Sequence, residues 1–344
     1  MKLVLGEEQR QLQESVRSFL GSASPLRKAR EGYDPQVYAR LNGELGLSGL
    51  IIPEEYGGAG AGLTELSVAL EETGAALLPG PFLATAFAAI ALTATPDKEL
   101  LSGIADGRLA ATLGLPTGDL PACDGTSVSG RLAQVLSGME ADVLVTPATA
   151  ADGGAVMVAV ELTAPGVTRT ALDALDITRG QAEIVLDGAP CRVLGARRDD
   201  GVMDRVCVAL AAEQLGVMRA ALDAIVAYAK IRVAFGRYIG SYQGVKHKLA
   251  DMHNKLEQAE SIVRYAAWAA DEAPDELPEA AALAQAYIGR ACFEVARDHL
   301  LLYGGIGYTW EHDAHLFYKR AKADEVLLGP PRIHRARLAE LLEL

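Results

Sequence analysis

The sequence predicts a mainly α-helical protein with a small antiparallel β domain in the middle of the chain. Apolar residues recur with helical spacing up to residue 108 and again from residue 197. Between these segments the helical spacing is replaced by short β-branched runs and Asp-Gly pairs. We therefore predict an N-terminal helical domain at residues 1–108, a β domain at 109–196 and a C-terminal helical bundle at 197–344.

The N-terminal segment begins with an amphipathic helix. Leu12, Val16, Phe19 and Leu20 fall at i, i+4, i+7 and i+8, which places them on one helix face. Asp34 followed by Pro35 is typical of a second helix start, with Asp as the N-cap. A loop rich in Gly and Pro at residues 52–60 separates later helices. Its composition fits both a structural turn and a ligand-contacting loop.

The middle segment carries short strands. Val143–Val145 and Val156–Val160 are apolar or β-branched runs, and we expect turns at Asp124-Gly125, Asp152-Gly153 and Asp187-Gly188. No Gly-x-Gly-x-x-Gly follows a strand, so a nicotinamide-binding Rossmann domain has no support.

The C-terminal segment predicts several long amphipathic helices, as in a helical bundle. The apolar stripes are Leu215, Met218, Leu222 and Ile225; then Val245, Leu249, Met252 and Leu256; then Leu283, Tyr287, Ala291 and Val295.

Composition excludes several classes of protein. The 344 residues are 50% hydrophobic, which opposes disorder, and a net charge of -13 opposes binding to nucleic acid or an anionic membrane. We expect no signal peptide, no membrane span and a cytoplasmic location. The four cysteines are scattered without a Cys-x-x-Cys pair, so we expect free thiols, no zinc site or other metal site, and no disulfide framework.

Two segments of the bundle carry a family resemblance. Residues 232–243 read RVAFGRYIGSYQ, and residues 304–313 read GGIGYTWEHD. Together with the loop at 53–60 they closely resemble the acyl-CoA dehydrogenase family. The resemblance implies FAD as cofactor and an acyl-CoA thioester as substrate. In that family a carboxylate removes a proton at Cα while the flavin accepts a hydride from Cβ.

The resemblance also implies which residues bind the cofactor. Arg232 has a forked, permanent charge that suits a pyrophosphate, Phe235 can pack on an adenine ring, and Gln243 can hydrogen-bond a hydroxyl-rich linker. Gly304, Gly305 and Gly307 would let the backbone approach a phosphate or ribose. These residues would bind the adenosine-diphosphate part of the FAD held mainly by the adjacent subunit. The alternative is a pair of helix-helix turns in which glycine serves only close packing.

The catalytic base of the family has no counterpart here. The usual Glu directly before a Gly corresponds to Leu328, which precedes Gly329, and the alternative helical position corresponds to Val206. Neither side chain can accept a proton, and loss of a general base costs about 10²–10⁴-fold in rate.

The positions that face the flavin ring depart from the family as well. Residues 113–117 stand where the family has Thr-Glu-Pro, and Val135, Leu136 and Ser137 stand near a stretch that usually contacts the ring. Leu301 occupies a position at which the family usually has Gln.

With these departures the chain resembles the shorter, degenerate subunit of actinobacterial α2β2 acyl-CoA dehydrogenases. The resemblance implies a homologous catalytic partner, a role in lipid β-oxidation, a steroid side-chain CoA as a possible substrate, and an electron-transfer flavoprotein as a candidate acceptor. Two alternatives stay open: a self-sufficient enzyme with a displaced base, Asp204 or Glu213, and a non-enzymatic helical scaffold. Glu311 and His312 follow the glycine segment, and we predict a structural or interfacial role for both.

Overall fold

The computed structural model describes residues 3–198 and 201–344. The helices are α1 Glu7–Ala23, α2 Pro35–Leu45, α3 Leu63–Ala75, α4 Phe82–Ala94, α5 Lys98–Ala105, α6 Val202–Ile231, α7 Gln243–Glu272, α8 Leu277–Tyr303, α9 Ala314–Leu327 and α10 Pro331–Leu341. The strands are β1 Ala111–Leu113, β2 Ala122–Cys123, β3 Ser127–Leu136, β4 Val143–Ala150, β5 Ala155–Glu161, β6 Val167–Ala171, β7 Gln181–Pro190, β8 Arg192–Ala196, β9 Val233–Ala234 and β10 Arg237–Tyr238. This order confirms the predicted fold class of helices on either side of a central β region.

The chain divides into two compact units. A helical unit comprises the chain up to Glu31, Leu63–Leu78 and Cys207–Leu344, and a mixed unit comprises Gly32–Gly62 and Pro79–Val206. The N-terminal helices are therefore shared between the units. The three-domain boundaries predicted from the sequence stay a prediction.

The helical unit is built on the predicted apolar stripes. Val16, Phe19 and Leu20 are buried along α1, and Leu215 and Met218 are completely buried in α6. Helix α8 packs against α7, α9 and α10 and so forms the centre of the bundle. Burial of one stripe per helix is the main stabilising contribution of such a bundle.

The mixed unit contains one sheet with the strand order β6-β7-β3-β2-β4-β5-β8, and β1 pairs with β4. The pairs β1–β4 and β2–β4 are parallel, and the other pairs are antiparallel. Asp124-Gly125 and Asp152-Gly153 form hairpin turns as predicted. The expected turn at Asp187-Gly188 is wrong, because both residues lie inside β7. Gly188 has a φ of 60° there, close to a register irregularity with β3.

The predicted cap of α2 and the loop at residues 52–60 both lie in the mixed unit. Asp34 caps α2 by accepting a hydrogen bond from the Gln36 amide at 2.9 Å, as predicted. In the loop at 52–60 the Gly58 amide donates to the Pro53 carbonyl and the Gly60 amide to the Ile52 carbonyl. These bonds close the loop on itself, which favours the structural-turn alternative.

Three further features concern membrane spans, metal sites and cysteines. None of their helices is both long and apolar enough to cross a membrane. They contain no group of three or more His, Cys, Asp or Glu side chains arranged to hold a metal ion. All four cysteines are free thiols.

Candidate cofactor loops and the position of the missing base

The connection from α6 to α7 is a two-residue hairpin. Strands β9 and β10 pair antiparallel, and Phe235 and Gly236 form the turn with φ values of 53° and 81°. Positive φ at both central residues is characteristic of a type I′ turn, in which Asn or Gly usually precedes Gly. Phenylalanine is uncommon in this conformation, and its side chain here is 97% exposed. Backbone strain combined with an uncovered aromatic ring marks a candidate functional position.

The hairpin backbone is held from within the same segment. The Tyr242 hydroxyl donates to the Ala234 carbonyl at 3.0 Å, and the Arg237 guanidinium lies 3.8 Å from the centre of the Tyr242 ring. The Ile239 amide donates to the Arg232 carbonyl at 2.8 Å. These contacts fix the backbone while the side chains of Arg232 and Phe235 stay exposed.

Helix α7 begins directly after the hairpin with an exposed residue, Gln243. Its N-cap residue, Tyr242, is extended and makes no side-chain capping bond. The first amides of a helix lack intrahelical partners and carry the positive end of the helix dipole. Arg232 and the start of α7 therefore supply positive potential on the same hairpin connection.

The glycine segment forms a 3-10 turn, Gly304–Tyr308, at the end of α8. Gly307 is buried, and a Cβ there would lie 2.9 Å from the Leu300 carbonyl, so its own packing explains this glycine. Gly304 has a φ of 68°, and a Cβ on Gly304 or Gly305 would meet no atom within 4 Å. Neither crowding nor positive φ explains Gly305, so the open space beside it is available to a ligand.

Aromatic contacts bring the two loops together at one end of the bundle. Tyr228, in the last turns of α6, and Tyr303, the last residue of α8, have ring centres 4.5 Å apart. His299 packs edge-on against Tyr303, and His312 lies 4.1 Å from the same ring. Burial raises the pKa of Tyr303 to about 12 and lowers the pKa of His299 to about 3, so both are uncharged at neutral pH.

Exposed apolar side chains lie on these loops and on the adjoining helix ends. Besides Phe235, its exposed members are Ile231, Val233, Tyr238, Leu301, Ile306, Tyr308 and Trp310, each at least 43% exposed. Single exposed apolar residues are ordinary, but a group of them on one end of a bundle is typical of a protein interface. We call this group the loop-end surface.

Both positions predicted for the base carry apolar side chains, one half-buried and one completely buried. Leu328 is the half-buried C-cap of α9, and its carbonyl lies 3.1 Å from Nε2 of His334. Val206 is completely buried in α6. No carboxylate occupies either position.

The candidate displaced bases are also enclosed. Glu213 is 3% exposed and forms an ion pair at 3.4 Å with Arg320, which is itself 1% exposed and donates to the Leu77 carbonyl. Asp204 is buried. Glu311 is exposed, and Nδ1 of His312 accepts a hydrogen bond from the Ala314 amide at 3.1 Å. The pairing of Glu213 supports a structural role.

Hydroxyl groups near the strand ends of the mixed unit are already engaged. Thr112 donates to the Leu136 carbonyl at 2.5 Å, and Thr146 donates to the Gly114 carbonyl at 3.2 Å. Ser137, with a φ of 51°, donates to the Gly80 carbonyl at 3.3 Å. These donors satisfy the unit's own backbone, so none of the three presents a free hydroxyl hydrogen to a ring.

Comparison with known proteins decides the family. Models of the acyl-CoA dehydrogenase N-terminal and C-terminal domains match residues 6–107 and 199–342. Acyl-CoA dehydrogenase IpdE2 of Mycolicibacterium smegmatis is 36% identical over 341 residues, which cover 97% of this chain and 98% of that protein. The chain belongs to the acyl-CoA dehydrogenase family.

Two solved structures extend this similarity to the whole chain. A chain of the Tcur3481–Tcur3483 steroid ACAD, solved as a variant, superposes with a TM-score of 0.89 and 31% identity over 99% of both chains. A chain of the ChsE4–ChsE5 complex from Mycobacterium tuberculosis superposes with a TM-score of 0.91 and 26% identity, covering 100% of this chain and 99% of that one.

Sequence reasoning missed the residues that brace the loops of this acyl-CoA dehydrogenase chain. Arg27 donates to the Glu311 carbonyl at 3.1 Å, and Arg30 donates to the Trp310 carbonyl and pairs with Asp313. No local sequence pattern could have revealed these arginine contacts, because the partners are 280 or more residues apart. The Tyr242–Arg237 contact lies inside the quoted motif and could have been inferred from a Tyr that follows a turn.

Proposed function

We propose that this chain is the non-catalytic subunit of an FAD-dependent acyl-CoA dehydrogenase complex that introduces an α,β double bond into an acyl-CoA thioester. A homologous partner chain would carry the catalytic Glu, and this chain would bind the adenosine-diphosphate side of the FAD. The observation that carries the proposal is the contrast between the apolar base positions Leu328 and Val206 and the exposed cofactor loops.

The loop residues fit the adenosine-diphosphate part of the cofactor. Arg232 can form a bidentate contact with a pyrophosphate, and the uncapped start of α7 at Gln243 favours the same anion. Phe235 offers an uncovered ring for stacking, and Gly304 and Gly305 leave room for close backbone approach. The flavin, when bound, supplies the hydride acceptor for the Cβ position.

The mixed unit does not fit the flavin ring in the same way. The hydroxyls of Thr112, Thr146 and Ser137 donate to backbone carbonyls of their own unit. Electrostatic stabilisation at a reacting centre needs donors that are positioned but not already engaged. We therefore assign the ring and the proton-abstracting step to the partner chain.

The loop-end surface supports a permanent partner. Its apolar side chains would be buried in an α2β2 assembly, as expected for an obligate interface. The two similar structures are named as assemblies of two proteins, and one of them is named as a steroid enzyme. We extend both features to this chain and propose a steroid side-chain CoA as substrate, with an electron-transfer flavoprotein as candidate acceptor.

Flavin retention in the purified complex tests the cofactor assignment. The chain should be colourless when purified alone and should show a flavin spectrum when co-expressed with its partner. In the complex, Arg232→Glu should lower FAD per complex at least about tenfold, because it replaces a charge-assisted contact with a repulsive one. Lys230→Glu, two residues earlier on an exposed site, is the matched control. Equal FAD content in the two variants would contradict the assignment.

Turnover by the isolated chain tests the division of labour. With an acyl-CoA substrate and an artificial electron acceptor, the chain alone should show no dehydrogenation, whereas the complex should be active. Measurable turnover by a yellow homo-oligomer would support the self-sufficient alternative. A complex that forms without flavin would support the scaffold alternative.

A further inference from the structure

Two cysteines of the mixed unit lie side by side. Cys123 is the last residue of β2, Cys191 lies between β7 and β8, and their Sγ atoms are 3.7 Å apart. Hydrogen bonds hold both backbones in place. Cys123 pairs with Val128 across the β2–β3 hairpin, and the Cys191 amide donates to the Thr126 carbonyl at 3.0 Å. The same hairpin therefore fixes both thiols.

This separation is close to what a disulfide requires. A disulfide has a sulfur–sulfur distance of about 2.05 Å, and rotation about the Cα–Cβ bonds can close a gap of this size when the backbones are already near each other. The other cysteines differ. Cys207 and Cys292 are buried in α6 and α8, and the Cys292 thiol donates to the Gln214 carbonyl at 3.5 Å.

We propose that Cys123 and Cys191 form an oxidisable dithiol site that hydrogen peroxide converts to an intramolecular disulfide. The first thiol gives up two electrons to the peroxide O–O bond and becomes a sulfenic acid, and water is released. The second thiol then attacks that sulfur, the S–S bond forms, and a second water leaves. The half-buried Cys191 is the thiol that the oxidant reaches first, because Cys123 is only 4% exposed.

The burial of the pair limits how fast Cys191 can be oxidised. Burial, together with the neighbouring Cys123 thiol, raises the pKa of Cys191 to about 12. The thiolate is the reactive species, so oxidation should be slow at neutral pH. While the pH stays below the pKa of Cys191, the oxidation rate should increase about tenfold for each unit by which the pH is raised.

Thiol counting after oxidation tests the proposal. One equivalent of hydrogen peroxide at mildly alkaline pH should reduce the thiols titrated in denaturant from four to two. The mass should fall by two hydrogens, and a dithiol reductant should reverse the change. Digestion without reductant should yield one cross-linked peptide that joins Cys123 to Cys191. An unfolding midpoint that rises on oxidation would show that the bond forms in the folded unit.

Matched variants make the outcome decisive. Cys123→Ser and Cys191→Ser should abolish the loss of two hydrogens, whereas Cys292→Ala should retain it. Cys191→Ala serves as the second variant if a buried serine disturbs folding. The proposal is overturned if wild type loses thiols no faster than the Cys123 and Cys191 variants, if the cross-link joins Cys207 or Cys292, or if the product is a sulfinic acid.

Discussion

Two regions of the chain differ in how well the fold accounts for them. At the base positions, Val206 is completely buried and Leu328 is half-buried, and neither side chain can accept a proton. At the loop-end surface, Phe235 is strained and almost fully exposed, and the open side of Gly305 meets no atom. The first region is accounted for by residue identity and packing, whereas the second contains exposed and strained residues that the proposed cofactor and partner would explain.

This difference gives a criterion for separating residues that serve the fold from residues that serve a ligand or a partner. A residue that stabilises its own fold leaves a trace in burial and hydrogen bonding. A residue that serves a partner is exposed or strained, and contacts within its own chain do not explain that state. On this criterion Gly307 belongs to the fold, and Gly305 belongs to the proposed cofactor site.

Breaking the buried ion pair should give the largest effect. Arg320→Met removes the buried cation that pairs with Glu213, and we expect a loss of about 3–5 kcal/mol in the free energy of unfolding. Glu213→Gln should also destabilise, while the activity per folded complex stays unchanged. Chemical denaturation and activity of the co-expressed complex measure both. A Glu213→Gln complex that is stable but inactive would instead identify Glu213 as a displaced base.

The ion pair also shows why the sequence could not separate a base from a structural carboxylate. Glu213 and Arg320 are 107 residues apart, so the sequence shows only an isolated acid in an apolar helix. The helices themselves were predictable, because stripes such as Val16 and Phe19 repeat locally and are buried as expected.

The connections were less predictable than the helices. Residues 232–243 carry no local hairpin signal, since the turn Phe235-Gly236 lacks the Asn or Asp that is typical of a type I′ hairpin. The parallel pairing of β1 with β4 depends on residues about 30 positions apart and leaves no local pattern. The Asp-Gly rule succeeded at Asp124 but failed at Asp187, where the pair forms an irregularity within a strand.

Acid should weaken the bundle end that carries the loops. His299 is 1% exposed, and burial lowers its pKa to about 3, so the folded state holds it neutral. Between pH 6.5 and about 3 the unfolded chain binds the proton that the folded chain does not. Stability from this group is therefore complete above pH 6.5 and falls by about 1.4 kcal/mol per pH unit as the pH drops. Unfolding curves from pH 7 to 5 measure it.

A matched pair of histidine variants isolates this contribution. His299→Phe should flatten the pH dependence between 7 and 5, whereas His253→Phe, on an exposed helix face, should leave it unchanged. The same slope in both variants would mean that other groups cause the acid sensitivity.

Phe235→Gly at the strained turn should affect the stability of the chain and its FAD content in different directions. Positive φ costs a non-glycine residue about 1–2 kcal/mol, and glycine costs about 0.5–1 kcal/mol in chain entropy. Phe235→Gly should therefore leave the isolated chain as stable as wild type or up to about 1 kcal/mol more stable, while FAD content in the complex falls. Phe235→Ala keeps the strain but loses the ring, and it is the control. A less stable glycine variant would show that the exposed ring supports the fold.

The smallest effect on stability should come from removing the Arg30 contacts to Trp310 and Asp313. Arg30 pairs with Asp313, and both side chains are 21% exposed, so Arg30→Ala should cost about 0.2–1 kcal/mol in global stability. Its local effect should be larger. Amide hydrogen exchange at residues 310–313 should accelerate severalfold, because the Trp310 carbonyl loses its donor. Arg10→Ala removes an exposed pair on α1 and should change neither measurement. Unchanged exchange in Arg30→Ala would mean that the remaining contacts, Arg27 with the Glu311 carbonyl and Tyr303 with His312, hold the segment.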